Sequence, residues 1–215
     1  MASNEEILPG PGTAPILRLT LECPTKISRD SEEKYLKFNV TYEGTSDTNA
    51  EDAPPITFHK YGVMGEEKLS LYQLRNGEWT ECLTEQDEYG GCSGFALLDA
   101  PPLLVKVGED EQFLSLGRGE SVVAHQRTIP KKFPEDAKPG DRFRVGLRGA
   151  HVEWWNWGGR QSHANTEVYL PCWRVGRVVN PPTPDYDSIL CPETKNDGRP
   201  KMVLHVSDPV EFTLA

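Results

Sequence analysis

The chain of 215 residues carries 23 Lys plus Arg against 33 Asp plus Glu, a formal charge of −10, which argues against nucleic acid as a partner. Neutralising a phosphate backbone takes an excess of cations gathered on one face. A chain of this length buries roughly 70% of the surface it exposes when unfolded, so its core calls for no disulfide, metal or cofactor.

Taken in chain order, residues 1–15 are rich in Pro and Gly and read as a loose arm. From Ile16, Leu17, Leu19 and Leu21 alternate with Arg18, Thr20 and Glu22, the period of a strand with one buried face. Residues 34–43 repeat this with Leu36, Phe38, Val40 and Tyr42 on one side. A polar loop at 44–55 leads to a strand at 56–61. Strands at 69–75 and 78–83 flank Asn76-Gly77, the pair that best tolerates the positive φ angles of a type I′ turn. Short strands follow at 103–107, 112–116 and 121–127, the last two joined by Gly117-Arg118-Gly119, and a helical turn is expected at 131–137. Phe143, Val145 and Leu147 then alternate with Arg142, Arg144 and Arg148, a strand whose outer face is unusually basic. Strands at 166–170, 173–179, 202–206 and 210–214 complete the series, with a Pro-rich loop at 180–200. The acidic runs Glu51-Asp52, Glu85 to Glu88 and Glu109-Asp110-Glu111 read as solvated loops.

Many short strands with regular turns and no sustained helical period predict an all-β protein, an immunoglobulin-like antiparallel β-sandwich with long loops forming one domain over 16–215. The opening residues lack a basic segment followed by an apolar run, and no window is apolar enough to span a bilayer, so neither export nor a membrane partner is expected. Five scattered cysteines without a C-x-x-C pair suit a reducing compartment, and the expected location is cytoplasmic.

The most unusual stretch runs from His151 to Gly159 and contains Glu153, Trp154, Trp155 and Trp157, with Arg160 and His163 just beyond. Indoles at adjacent positions of a strand point to both faces, which predicts that one leaves the core as an anchor for a partner. On the rival reading Trp155 plugs the core while Trp154 and Trp157 lie under the loop after Asn180. His151 and Glu153, two residues apart, share a strand face, and with His163 they would form a 2-His-1-carboxylate set for a divalent metal. The cupin-type H-x-H is absent, and His125 has no companion histidine. Gly90-Gly91-Cys92-Ser93-Gly94 has the outline of a nucleophile elbow, but the flanking sequence reads as a loop rather than strand and helix. No enzyme motif is present.

The order of segments from Ile16 to Leu170, and above all the turn from Phe113 to Ser121, resembles the Ig-like β-sandwich regions that precede the catalytic domain of fungal deuterolysin-type zinc endopeptidases. Arg118 stands where that turn usually has Pro. The chain is also similar to fungal all-β proteins with a W-W-x-W-G motif, here Trp154 to Gly158, and a Leu-Pro-Cys-Trp motif, here Leu170 to Trp173; that likeness implies no activity. The leading expectation is a non-catalytic protein-binding module, inhibitor-like or prodomain-like, that meets its partner through Trp154, Trp155, Trp157, His151, Glu153, Arg160 and His163. The alternatives are a metal-dependent, cupin-like enzyme with a His/Glu site and a carbohydrate-binding module that stacks sugars on indole rings.

Overall fold

The computed structural model describes residues 13–29, 36–45, 53–63, 69–82, 103–127, 133–170 and 198–215. Among them the regular structure is β, apart from the 3-10 turn Tyr61–Val63, and no helix is long and apolar enough to cross a membrane. The expected arm up to residue 12, the glycine run at 90–94, the strand at 173–179, the acidic runs at 51–52 and 85–88, and the Pro-rich loop up to residue 197 lie outside the described residues.

Alternation becomes strand wherever one face is buried and the other is wet. β1 (Pro15–Glu22) and β3 (Leu36–Thr45) bury every second residue. They pair antiparallel, with Leu19 opposite Val40 and Leu21 opposite Phe38. β9 (Ser121–Arg127) and β13 (Val203–Val206) complete a sheet of order β13-β1-β3-β9. A second sheet, of order β2-β14-β10-β5-β6, contains β2 (Lys26–Ile27), β5 (Leu69–Arg75), β6 (Glu78–Glu81), β10 (Arg142–Leu147) and β14 (Val210–Leu214). The turn joining β5 to β6 has φ 52° at Asn76 and 86° at Gly77, the positive pair that the dipeptide predicts.

Two smaller sheets complete the set, β11-β4-β8 from β4 (Ile56–His59), β8 (Phe113–Leu116) and β11 (Trp155–Trp157), and β12-β7 from β7 (Leu103–Lys106) and β12 (Glu167–Leu170). β4 is buried at all four positions, so it shows none of the alternation that marks a half-wet strand.

One apolar cluster draws on the first three sheets, with Leu17, Leu19, Phe38 and Val40 from one, Leu71, Phe143, Val145 and Phe212 from another, and Ile56, Phe58 and Trp155 from the third. Full burial of a Leu or Phe side chain contributes about 1.5–3 kcal/mol, so this shared cluster is the main source of stability. A smaller cluster of Val105, Val107, Phe113, Trp154, Val168 and Leu170 joins the fourth sheet to the third.

The structure departs from the expected pattern in its strand pairing and at Asp110. The pairings β1 with β13 and β14 with β2 are parallel. Between β13 and β14 the chain crosses from the first sheet to the second. Residues 133–140 form single turns, such as Ala137 N–H to Pro134 O at 3.0 Å. Pro139 and Gly140 would interrupt any longer helix there. Asp110, expected in solvent, is 1% exposed, and its Oδ1 accepts the Gln112 N–H at 2.8 Å.

Candidate functional site

The run from His151 to His163 lies between the two apolar clusters. Neighbouring residues on extended backbone face opposite ways, and here both faces are covered. Trp155 is 1% exposed within the main cluster, while Trp154 is 2% exposed within the smaller one. The Trp155 indole donates to Pro200 O at 3.0 Å, and Arg199 Nε donates to Trp155 O at 2.8 Å. Trp157 is half-buried, packed against the main cluster with its ring edge-on to Trp155 at 4.9 Å. Of the three indole residues Trp157 alone is partly exposed. Neither Trp154 nor Trp155 offers an open face to a partner or a sugar ring.

His163 and Arg160 are held just as firmly. His163 Nε2–H donates to Trp157 O at 2.8 Å, and Nδ1 lies 3.2 Å from Thr166 Oγ1, the acceptor of its hydroxyl in that tautomer. Its ring meets Trp154 edge-on at 5.7 Å. Arg160 donates to Phe113 O at 2.8 Å, Asp110 O at 3.1 Å and Gly108 O at 3.2 Å, tying the turn at 158–166 to the segment between β7 and β8.

His151 and Glu153 do come together, with Nε2 3.6 Å from Oε1. The second imidazole beside that carboxylate is His59, whose Nδ1 lies 3.8 Å from Glu153 Oε2, and not His163. β11 runs antiparallel to β4 with Trp155 opposite Phe58, and His59 N–H donates to Trp154 O at 2.9 Å, which carries His59 to the Glu153 backbone. Both distances exceed hydrogen-bond length. Among the described residues no group of three or more His, Cys, Asp or Glu side chains is arranged to hold a metal ion.

A different constellation stands on the outer face of the β2-β14-β10-β5-β6 sheet. Because Phe143 and Val145 point into the core, Arg142 and Arg144 point out, and the register sets Arg144 opposite Tyr72 on one side and Glu211 on the other. The hairpin adds Trp79 opposite Leu74, and Glu81 opposite Tyr72. The Arg144 guanidinium carbon lies 4.9 Å from the Tyr72 ring centroid and 4.8 Å from that of Trp79, and Arg142 lies 5.9 Å from Trp79. Arg142 pairs with Glu211 at 2.6 Å, and Arg148 pairs with Glu81 and donates to Ser70 Oγ. The result is a row of cations and half-buried aromatic rings on rigid strands.

Tyr72 and Trp79 belong to no motif. Their signal in the sequence is the Asn76-Gly77 turn, whose two-residue length fixes the pairing and so places Trp79 on the same face as Tyr72. His59 carries no such signal, since its approach to Glu153 depends on a pairing between strands far apart in sequence. Comparison of the chain with known protein families, with curated proteins and with solved structures finds no match.

Proposed function

We propose that the chain is a non-catalytic interaction module, an Ig-like sandwich whose partner docks on the outer face of β14, β10, β5 and β6. The observation that carries this reading is the stacked row of Arg142, Arg144, Tyr72 and Trp79. Tyr, Trp and Arg are the residue types that dominate binding energy at interfaces, and rings already held by stacked guanidinium groups lose little freedom on docking. Support for the sandwich comes from the turn at 117–120, which carries the chain from β8 in one sheet to β9 in another while Gly119 N–H donates to Tyr42 O at 2.7 Å.

The test is retention of a partner from extract by the immobilised chain, with proteins identified by mass spectrometry. The double substitution Tyr72→Ala with Trp79→Ala is expected to abolish retention while circular dichroism stays unchanged. Trp157→Ala, which alters a half-buried ring away from this face, is expected to retain the partner. A partner kept by the double variant at wild-type level sinks the proposal. The narrower inhibitor-like or prodomain-like reading rests on the resemblance of the Phe113 to Ser121 turn, and it requires the retained partner to be a peptidase.

A further inference from the structure

We infer that Arg144 is a carboxylate-binding residue and that the ligand of this face is an extended acidic peptide, an inference that rests on the interaction-module reading. The charges on the face do not balance. Glu211 is engaged by Arg142 and Glu81 by Arg148, whereas the Arg144 side chain makes no ion pair and no hydrogen bond among the described residues. Its contacts are the two rings, Tyr72 and Trp79. Nε is buried, so the terminal nitrogens are the part of the fork left to a ligand.

A planar guanidinium held against aromatic rings keeps its orientation and presents its N–H edge. That edge matches the two oxygens of a carboxylate. The stem and rings around it lower the local polarity, which strengthens a charge-assisted hydrogen bond relative to one in open water. The surroundings select the carrier of that carboxylate. Glu81 and Glu211 are each held in an ion pair, which leaves Arg144 as a single uncompensated cation between them, a match for one carboxylate at a time, whereas a polyphosphate backbone needs several cations in a row. A peptide would place one carboxylate on Arg144 and apolar side chains on Leu74, Tyr72 and Trp79, which lie on the same face. Among the described residues β6 is the last strand of its sheet, so Tyr72, Leu74 and Trp79 lie next to a strand edge, the setting in which extended segments dock.

The probe is a short fluorescein-labelled peptide of repeating Glu-Leu-Glu-Ser, titrated with the full chain and read by fluorescence anisotropy. Parallel arms use the same peptide with Gln for every Glu, inorganic phosphate as competitor, and labelled single-stranded oligothymidylate. Saturable binding of the Glu peptide is expected, weakened about tenfold or more in Arg144→Lys, which keeps the charge but loses the fork. Arg18→Lys, on the other large sheet, is expected to bind as wild type does. Equal binding of the Gln peptide, unchanged affinity in Arg144→Lys, stronger binding of oligothymidylate, or no binding of the Glu peptide would each overturn the inference. Loss of the natural partner in the Tyr72 and Trp79 double variant, together with indifference to acidic peptides, would leave the module standing and remove only its carboxylate ligand.

Discussion

Tyr42 shows how a single buried polar group ties the fold to pH. Its ring is fully buried in the main cluster, and its hydroxyl donates to Pro54 O at 3.2 Å. Burial pushes the phenol up to about 12, with Arg118 pulling it part of the way back. In the unfolded chain the same phenol ionises near 10, so between pH 10 and about 12 the unfolded state sheds a proton that the folded state keeps. Stability from this residue is therefore fully present below pH 10 and is lost as pH rises through that window. Tyr42→Phe is expected to cost about 1 kcal/mol at neutral pH and to flatten the alkaline fall in urea midpoint. Parallel wild-type and variant curves up to pH 11.5 would contradict this. The candidate site was legible only in part at this scale. Adjacent indoles must face both ways, which the sequence states; that both faces are covered follows from the Val105 to Leu170 cluster, which is assembled from strands far apart in the chain. The basic face of β10 was readable from Arg142 and Arg144, but not the rings that hold them.

Elements meet where side chains are smallest. Gly108 lies at the end of the β7 segment against the turn at 158–166, with Val107 N–H donating to Thr166 O at 2.9 Å. A Cβ at Gly108 would stand 2.6 Å from the backbone of Ala164, and backbone cannot swing aside as a flexible side chain can. Gly108→Ala is thus expected to destabilise by about 1–3 kcal/mol or more, pushing apart the segments that Arg160 clamps. Gly159, with nothing within 4 Å of its Cβ position and no left-handed backbone, is the control, and Gly159→Ala is expected to lie within about 0.5 kcal/mol of wild type. Equal urea midpoints for the two variants would show that the contact is not tight in solution. Strand positions were legible wherever a wet face made alternation visible, as in β1 and β3. β2, with two residues, offers no period to read. The parallel partners of β1 and β14 were hidden for another reason: a period of two tells which face is buried but not which strand lies alongside.

For the molecule as a whole, the question is whether the sheets that share the main cluster unfold as one unit. β13 and β14 are consecutive, yet β13 pairs with β1 in the first large sheet and β14 with β10 in the second. Loss of β14 should therefore be felt on both sides of the cluster. Phe212 anchors β14 there, 3% exposed, stacked on Phe143 at 5.7 Å and edge-on to Phe133 at 6.1 Å. Phe212→Ala removes that packing and leaves a cavity, at a cost of about 3–5 kcal/mol, a large part of the roughly 5–15 kcal/mol that holds a typical domain folded. If one cooperative unit spans the cluster, hydrogen-exchange protection falls by the same factor, about two to four orders of magnitude, in β1 and β3 as in β10 and β14. Unchanged protection in β1 and β3, with loss confined to β10 and β14, would mean that the large sheets open independently. A docking face on the second sheet would then unfold without disturbing the first, and a bound partner would protect only the sheet it touches.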